Sequence, residues 1–267
     1  MLTLQRVSCL LMVCALVVVC AGISSAADVL PGYDLFETVA PTYQDFVGAM
    51  AVPPDFFGPG SDPFEGQVAF MGDPLGSFPA CPGNIGRTDM IAQRPVAAVL
   101  PGPGSSDIIP TEIVALSLVS VNPITVTYYG GTNPEPWHVR MGLSTFVPSR
   151  GSMTVRQTSP PGGTFDSTFP VVPRFVFTRQ PDGLSRIMDW GPLGLADDFY
   201  ASDVPWQYEP PPNRECPSCC SNFYPSSHTE FAPYARHTVM RGCPEKAAGV
   251  PEGEDSPTWG AIKSLYR

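Results

Sequence analysis

Apolar and polar residues alternate through the middle of the chain, and this pattern predicts β-strands. In the segment 124–129 (ITVTYY) an apolar side chain recurs at every second position, so an extended strand there has one apolar and one polar face. Residues 137–141 repeat the pattern, with His138 and Arg140 on the polar face. These segments are rich in β-branched and aromatic residues, which favour a pleated surface. The strands predicted most strongly are 112–121, 124–129, 137–141, 152–157 and 174–179.

Turn sequences separate these segments and indicate the fold class. The pairs at 122–123 (NP) and 130–131 (GG) and the run 160–163 (PPGG) are typical of connections between strands. The segment 112–121 is apolar almost throughout, which predicts a strand buried on both faces. Many short strands at this spacing predict an all-β protein, an antiparallel β-sandwich of the immunoglobulin-like or jelly-roll-like kind. Weaker alternation predicts further strands at 67–71, 88–93, 164–169 and 185–190.

The first 27 residues predict an export signal. Arg6 precedes an almost wholly apolar run over 7–23, and Ser25 and Ala27 provide the small side chains that a signal peptidase requires. We expect cleavage after Ala27, with an uncleaved N-terminal anchor as the alternative. Cleavage would leave an exported protein, secreted, periplasmic or at the cell surface, without a stable membrane anchor.

Charge divides the remaining chain into three parts. The sequence has 25 acidic and 15 basic residues and a net charge of −10, which argues against nucleic acid as a partner. The acidic excess lies towards both ends, on either side of a nearly neutral block. We therefore expect a loop-rich acidic arm at 28–66, a β-sandwich domain at 67–190 and a proline-rich extension with cysteines and histidines at 191–267, part of it disordered.

Proline and glycine are frequent but unevenly placed. The chain has 33 prolines and 25 glycines, a density that excludes a helical bundle because proline breaks helices and glycine weakens them. The five strands predicted most strongly contain neither residue. In the central block, proline and glycine therefore mark the connections between strands.

Residues able to bind a metal are concentrated near the C-terminus. Thiolate and imidazole are ligands that Zn²⁺ prefers, and the spacing of Cys216 and Cys219 is that of a zinc knuckle. A second Cys-x-x-Cys pair and the closely spaced histidine pair of a zinc finger are both missing from the sequence. Zinc is therefore the one cofactor that the sequence suggests. The candidate ligands are Cys216, Cys219, Cys220, His228, His237 and Cys243.

An oxidising compartment favours disulfides over zinc at these cysteines. Signal cleavage would leave five cysteines, of which Cys81 is the one outside the C-terminal group. Two disulfides and one remaining thiol are the expected state, and the sequence does not select the pairing. A redox role for Cys216 and Cys219 is a further alternative, although no βαβ pattern surrounds them.

The sequence lacks the common motifs of catalytic sites. It contains no Gly-x-Ser-x-Gly, Ser-x-x-Lys or His-Glu-x-x-His motif. His138 lies on the polar face of its strand, where we expect a solvated histidine rather than a general base. Paired carboxylates can hydrolyse glycosidic bonds, but a solvated loop also explains the adjacent Asp197 and Asp198. In 55–65 we expect a turn whose phenylalanines pack on the sheet, rather than a calcium loop.

Five sequence blocks also occur in a distinctive order. Residues 55–64 (DFFGPGSDPF), 111–121 (TEIVALSLVSV) and 123–128 (PITVTY) are followed by GSMT at 151–154 and GTFDSTF at 163–169. In wording and in order, these blocks resemble a group of uncharacterised exported bacterial β-rich proteins. The resemblance implies a shared exported β-domain, and it implies no activity, cofactor or site residue.

Together these features predict a non-enzymatic exported β-sandwich protein that acts as a structural, surface or binding module. Surface or matrix proteins and glycans fit as partners, because loops at the ends of a sandwich are common binding sites. Two alternatives remain open. One is a secreted hydrolase that uses dispersed carboxylates, and the other is a zinc-binding protein built on the C-terminal cysteines and histidines.

Overall fold

Two antiparallel β-sheets pack against each other in the computed structural model of this chain. The predicted all-β class and antiparallel sandwich are confirmed. The structure describes residues 28–81, 84–180, 182–210, 222–230, 235–236 and 238–242.

The first sheet contains nine strands and the second contains eight. Across the first sheet the order is β14 (Tyr224–Pro225), β13 (Asp197–Gln207), β10 (Gly162–Val171), β9 (Ser149–Ser159), β5 (Ser106–Leu116), β4 (Met90–Arg94), β1 (Gly32–Thr38), β17 (Thr238–Gly242) and β15 (His228–Glu230). Across the second it is β12 (Ser185–Asp189), β11 (Pro173–Arg179), β8 (Thr132–Leu143), β6 (Leu118–Ser120), β3 (Gly66–Gly72), β2 (Thr42–Phe46) and β16 (Ala235–Arg236), with β7 (Ile124–Tyr128) paired to β8.

The alternation of apolar and polar residues locates the strands correctly. All nine predicted segments overlap strands of the structure, and in β8 the buried Trp137 and Val139 alternate with the less buried His138 and Arg140. A short 3-10 turn, Gly48–Met50, follows β2. Within the described residues, no helix is long and apolar enough to cross a membrane.

The apolar segment 112–121 is two strands that lie in different sheets. β5 ends and β6 begins on either side of Ser117, where the chain crosses from the first sheet to the second. The prediction of one strand buried on both faces is therefore wrong. The segment is apolar because Ile113 faces the core between the sheets, while Val114 packs against a smaller cluster that includes residues of the 73–89 loop.

Residues 28–66, predicted as a loop-rich arm, supply inner strands to both sheets. β1 lies between β4 and β17, and β2 lies between β3 and β16. Some of the acidic side chains that suggested a solvated arm are internal. Asp34 is fully buried and forms an ion pair with Arg94, with 2.8 Å between Oδ2 and Nε. Burying a charge is costly unless it is paired, and this partner lies 60 residues further along the chain.

The described part of 191–267 also belongs to the fold. β13 pairs along its length with β10, and β14 and β15 form the two edges of the first sheet. Asn222 binds the first described residues, because its Nδ2 donates to the carbonyl oxygen of Asp28 and its Oδ1 accepts from the N–H of Leu30, both at 2.8 Å. The extension is thereby fastened to the start of the folded chain.

Aromatic side chains fill the space between the sheets. The Phe57 ring lies 4.9 Å from that of Trp137 and 5.3 Å from that of Phe177, at tilted and edge-to-face angles that aromatic pairs favour. A second cluster is built around Phe165 of β10 and Trp206 of β13, which are neighbouring strands of the first sheet. These clusters give the sandwich a rigid interior.

A third cluster lies beneath the loop 73–89. Leu35 and Ile91 are fully buried there together with Cys81. Cys81 is disulfide-bonded. The other cysteines of the chain lie outside the described residues, so the predicted pairing stays a prediction.

Candidate functional site

The turn between β7 and β8 holds an exposed tyrosine in an unusual backbone conformation. Tyr129 has a φ of 50°, in the left-handed region that bulky residues avoid. It is nevertheless 71% exposed. Gly130 and Gly131, which follow it, also have positive φ values. Such conformations persist where the surrounding structure determines them, and they cluster at functional sites.

The preceding segment 55–62 fixes the position of Tyr129. The N–H of Tyr129 donates to the carbonyl oxygen of Gly60 at 2.8 Å. Its ring packs on Gly60, where a Cβ atom would overlap the ring. Gly60 has a φ of +80°, and its own N–H donates to Asp55 Oδ1 at 2.6 Å. Glycine is therefore required here both for its conformation and for the close approach of the ring.

Asp62 holds the two glycines of the turn. One of its carboxylate oxygens accepts from the N–H of Gly130 at 2.9 Å. The other accepts from the N–H of Gly131 at 2.9 Å and from the Thr127 hydroxyl at 2.7 Å. These bonds, that of Thr127 first, hold the pKa of Asp62 below its usual value. The carboxylate is thus a fixed acceptor that stabilises the turn.

A polar network lies beside the turn. The Tyr128 hydroxyl donates to Glu135 Oε2 at 2.7 Å, and Arg179 Nη1 donates to both oxygens of Glu135 at 3.1 and 3.2 Å. Arg179 Nη2 also donates to Asp182 Oδ2 at 2.5 Å. The Tyr128 bond and then Arg179 lower the pKa of Glu135, and Arg179 lowers the pKa of Asp182 to about 2. Both carboxylates stay ionised at neutral pH, and both remain partly exposed to solvent.

Asn133 lies four residues beyond Tyr129 and is also exposed. Asn133 lies at the start of β8, and its φ of 47° places it, like Tyr129, in the left-handed region. Its amide can both donate and accept hydrogen bonds. We use the term Tyr129 surface for the group made up of Tyr129, Gly130, Asn133, Glu135 and Asp182.

His138, predicted as a solvated histidine, is half-buried. A ring nitrogen of His138 contacts the side-chain amide of Gln180. Burial, together with the positive charge of Arg140, lowers the pKa of His138. The imidazole is therefore neutral at physiological pH.

The structure describes one residue of the predicted metal-binding cluster. His228 lies in β15 opposite Met240 of β17. Its ring packs edge-on against Phe36 and Phe165, with centroids 5.6 and 5.9 Å apart, and its Nδ1 lies 3.1 Å from the carbonyl oxygen of Ser226. The zinc site and the disulfides predicted for this cluster stay predictions. The residues that lie outside the described part of the chain are Cys216, Cys219, Cys220, His237 and Cys243.

The phenylalanines of residues 55–65 pack on the core, as expected. Phe57 is buried against the core, and the Phe56 ring lies 5.5 Å from that of Phe177. Arg186 Nε donates to the carbonyl oxygen of Phe56 at 3.2 Å and fastens the segment to β12. The segment is thus a packed turn that supports the Tyr129 surface.

The expectation of a solvated loop is wrong for Asp197. This residue begins β13 and is fully buried, whereas its neighbour Asp198 is exposed, because successive side chains of a strand point to opposite faces. Neither carboxylate oxygen of Asp197 makes a well-formed hydrogen bond in the described structure, although the Gln44 amide lies close enough to interact with the carboxylate. Burial raises the pKa of Asp197 to about 6, and the nearby Gln44 amide offsets this only in part.

Asp89 is a second buried carboxylate with a raised pKa. Burial raises its pKa to about 7, against the effect of hydrogen bonds from Thr38. Thr38 and Gln44 line a mainly apolar cavity of about 40 Å³ between the sheets. Ligand pockets usually measure roughly 300–1,000 Å³. The cavity is thus too small for such a ligand, and the buried carboxylates make the stability of the fold depend on pH.

Sequence analysis locates the Gly130-Gly131 turn but misses the Tyr129 surface. The local signal was an aromatic residue placed directly before two glycines. The residues that hold it come from another part of the chain, since Asp62 is 69 positions from Gly131. The two glycines after Tyr129 indicate a turn, but they do not indicate the left-handed conformation of Tyr129 itself.

Comparison with known proteins adds no relative from which a function could be taken. The chain matches no protein-family model, no curated protein and no solved structure. The geometry of the Tyr129 surface is therefore the basis for interpreting its role.

Proposed function

We propose that this protein is an exported, non-enzymatic β-sandwich module that binds its ligand through the Tyr129 surface. The observation that carries the proposal is the conformation of Tyr129 itself. A bulky side chain in the left-handed region costs of the order of 1–3 kcal/mol, and here the surrounding bonds hold it in place with 71% of the residue in solvent. A residue with a strained backbone and an exposed ring contributes little to the core. Contact between this exposed ring and a ligand would explain why the protein holds Tyr129 in a strained conformation.

Hydrogen bonds fix the backbone around Tyr129 before any ligand binds, as in a preorganised binding site. Gly60 accepts the Tyr129 N–H, Asp62 accepts the two N–H groups that follow, and Asp55 in turn holds Gly60. A side chain that is already fixed loses little freedom when a ligand binds, so more of the contact energy appears as affinity. Tyrosine suits this role because it has a large amphipathic ring and few rotatable bonds.

The carboxylates favour a binding module over a hydrolase. Hydrolysis by paired carboxylates needs an acid whose pKa is raised in a site that the substrate can reach. Glu135 and Asp182, on the Tyr129 surface, have lowered pKa values. Among the carboxylates of the described residues, the raised values belong to Asp89 and Asp197, which are buried inside the sandwich.

Export rests on the predicted signal, and the contacts of Asp28 and Val29 are compatible with cleavage after Ala27. Cleavage after Ala27 would leave Asp28 as the first residue. Its Oδ1 accepts from the N–H of Leu100 at 3.1 Å, and the next residue, Val29, is buried and paired with Ala98. A mature chain beginning at Asp28 would therefore be fixed to the sandwich from its first residue.

Cosedimentation with cell envelopes of the source organism tests the binding role. We expect the purified mature protein to pellet with the envelopes and Tyr129→Ala to remain in the supernatant. Tyr200→Ala is the matched control, because Tyr200 is a half-exposed tyrosine of β13 in the other sheet, and it should pellet like the wild type. Equal binding by wild type and Tyr129→Ala, or no binding by the wild type, would contradict the proposal.

A further inference from the structure

We infer that the ligand of the Tyr129 surface is an uncharged polysaccharide, with one pyranose ring stacked on Tyr129. The inference rests on the proposed binding function and specifies its ligand. It follows from three properties of the surface: a fixed aromatic ring, ionised acceptors close to it, and a negative local charge.

The ring of Tyr129 offers a platform of the kind a sugar requires. One side packs on Gly60 and the residue is 71% exposed, so part of the ring remains open to a ligand. A pyranose has an apolar face of C–H groups, which packs against the negative face of an aromatic ring. Since Gly60 and Asp62 fix the turn that carries the ring, stacking requires little ordering of the protein.

Hydrogen-bonding groups lie on the same end of the sandwich. The centroid of the Tyr128 ring lies 6.5 Å from that of the Tyr129 ring. The Tyr128 hydroxyl donates to Glu135, so Tyr128 connects this carboxylate to the exposed ring. Arg179 then links Glu135 to Asp182. Carboxylates accept hydrogen bonds from hydroxyl groups, and an exposed amide such as that of Asn133 can do both. The Tyr129 ring can thus stack on the apolar face of a sugar while nearby polar groups accept hydrogen bonds from its hydroxyl groups.

The local charge favours an uncharged sugar over an anionic one. The carboxylates of Asp55 and Asp62 lie in the segment that holds Tyr129, and those of Glu135 and Asp182 lie in the adjoining network. These four negative charges exceed the two positive charges of Arg179 in the network and Arg186 beside the 55–65 segment. Arg179 is already bound to two of those carboxylates. A uronic acid or a sulfated sugar would therefore be repelled.

A polysaccharide fits this surface better than a protein does. Stable protein interfaces bury about 800 Å² per partner around an apolar centre. Here one aromatic ring stands beside two glycines and polar groups. The other large aromatic residues that are exposed in the described structure, Phe146 and Tyr200, belong to the β8–β9 loop and to β13.

Affinity electrophoresis of the mature protein in gels that contain soluble polysaccharides tests the inference. The probes are neutral glucan, mannan, xylan and galactan, with polygalacturonate and heparin as anionic comparisons. We expect retardation by at least one neutral probe and by neither anionic one. Tyr129→Ala should weaken the binding about tenfold or more, whereas Tyr129→Phe, which keeps the ring, and Tyr200→Ala should bind like the wild type.

Three results would overturn the inference: no retardation by a neutral probe, a preference for the anionic probes, or unchanged binding by Tyr129→Ala. The envelope assay separates this failure from failure of the binding role. If wild type but not Tyr129→Ala pellets with envelopes, and treatment of the envelopes with proteinase K abolishes the binding, the ligand is a protein. The binding function would then stand and the polysaccharide would be excluded.

Discussion

The N–H and the hydroxyl of Thr38 both donate hydrogen bonds to the carboxylate of Asp89, at 2.8 and 2.9 Å. The pair joins the end of β1 to the residue that precedes β4, and the carbonyl oxygen of Asp89 accepts the N–H of Ser117 where the chain crosses between the sheets. Gly72 lies so close that a Cβ atom there would overlap the carboxylate. Protein atoms therefore replace water around the Asp89 carboxylate. The two hydrogen bonds from Thr38 compensate only in part for the lost hydration, so the pKa of Asp89 is raised.

Stability should fall as the pH rises through 7. Burial raises the pKa of Asp89 from 3.8 to about 7, so between these values the folded protein holds a proton that the unfolded chain releases. The stabilisation is complete below pH 4 and is lost as the pH rises through 7. At about 1.4 kcal/mol per pKa unit, its full extent is about 4 kcal/mol. Urea unfolding between pH 5 and pH 8 should record the part lost over that range, about 3 kcal/mol.

Asp89→Asn should remove most of this pH dependence. The amide keeps an acceptor for the Thr38 N–H and carries no charge at any pH. We expect the variant to be at least as stable as the wild type at pH 8, with a nearly level profile apart from the smaller effect of Asp197 near pH 6. An unchanged slope between pH 6 and 8 would show that Asp89 is not the titrating group.

Asp197→Asn should raise stability at pH 8 and change it little at pH 5. Asp197 is buried, its oxygens make no well-formed hydrogen bond in the described structure, and its pKa is raised to about 6. Above pH 6 the fold therefore contains a desolvated charge, which the amide removes. Asp198→Asn is the matched control, since Asp198 is exposed. Thermal unfolding at pH 8 should show a clearly larger gain for Asp197→Asn than for Asp198→Asn, which only removes the weaker repulsion between the two charges. A loss for Asp197→Asn at pH 8 would contradict this account.

The sequence predicts the strands better than it predicts their partners. The period of two in 124–129 and 137–141 depends only on which face is buried, and the structure confirms it. Pairing depends on contacts that are distant in the chain. Phe36 of β1 lies opposite Gly242 of β17, and no local pattern indicates this.

The acidic residues show why composition alone misleads. Asp34 looks like part of a solvated arm until Arg94, 60 positions away, is placed against it. Tyr129 likewise looks like an ordinary strand residue, because the bonds that force its φ positive come from the segment 55–62. A site formed by residues from distant segments cannot be predicted from the alternation of apolar and polar residues within one of those segments.

Arg94→Met should destabilise the protein by about 3–5 kcal/mol, because it leaves Asp34 buried without its ion-pair partner. The Arg94 guanidinium also lies 4.7 Å from the centroid of the Phe223 ring, so the change loosens the described part of the C-terminal extension as well. The double variant Asp34→Leu/Arg94→Met removes both charges and should recover most of the loss. Urea unfolding at pH 7 compares the three proteins. A double variant no more stable than Arg94→Met would mean that the uncompensated charge is not the cause.

Gly60→Ala should abolish ligand binding without touching any group that contacts the ligand. A Cβ atom at Gly60 would overlap the Tyr129 ring, and alanine also disfavours the φ of +80°. Gly76→Ala separates these two effects, because Gly76, in the 73–89 loop, has a nearly equal φ of +75° and open space around its Cβ position. Both variants should lose about 1 kcal/mol of stability from backbone strain, but Gly60→Ala alone should fail to pellet with envelopes. Normal binding by Gly60→Ala would mean that the placement of Tyr129 by Gly60 does not matter for recognition.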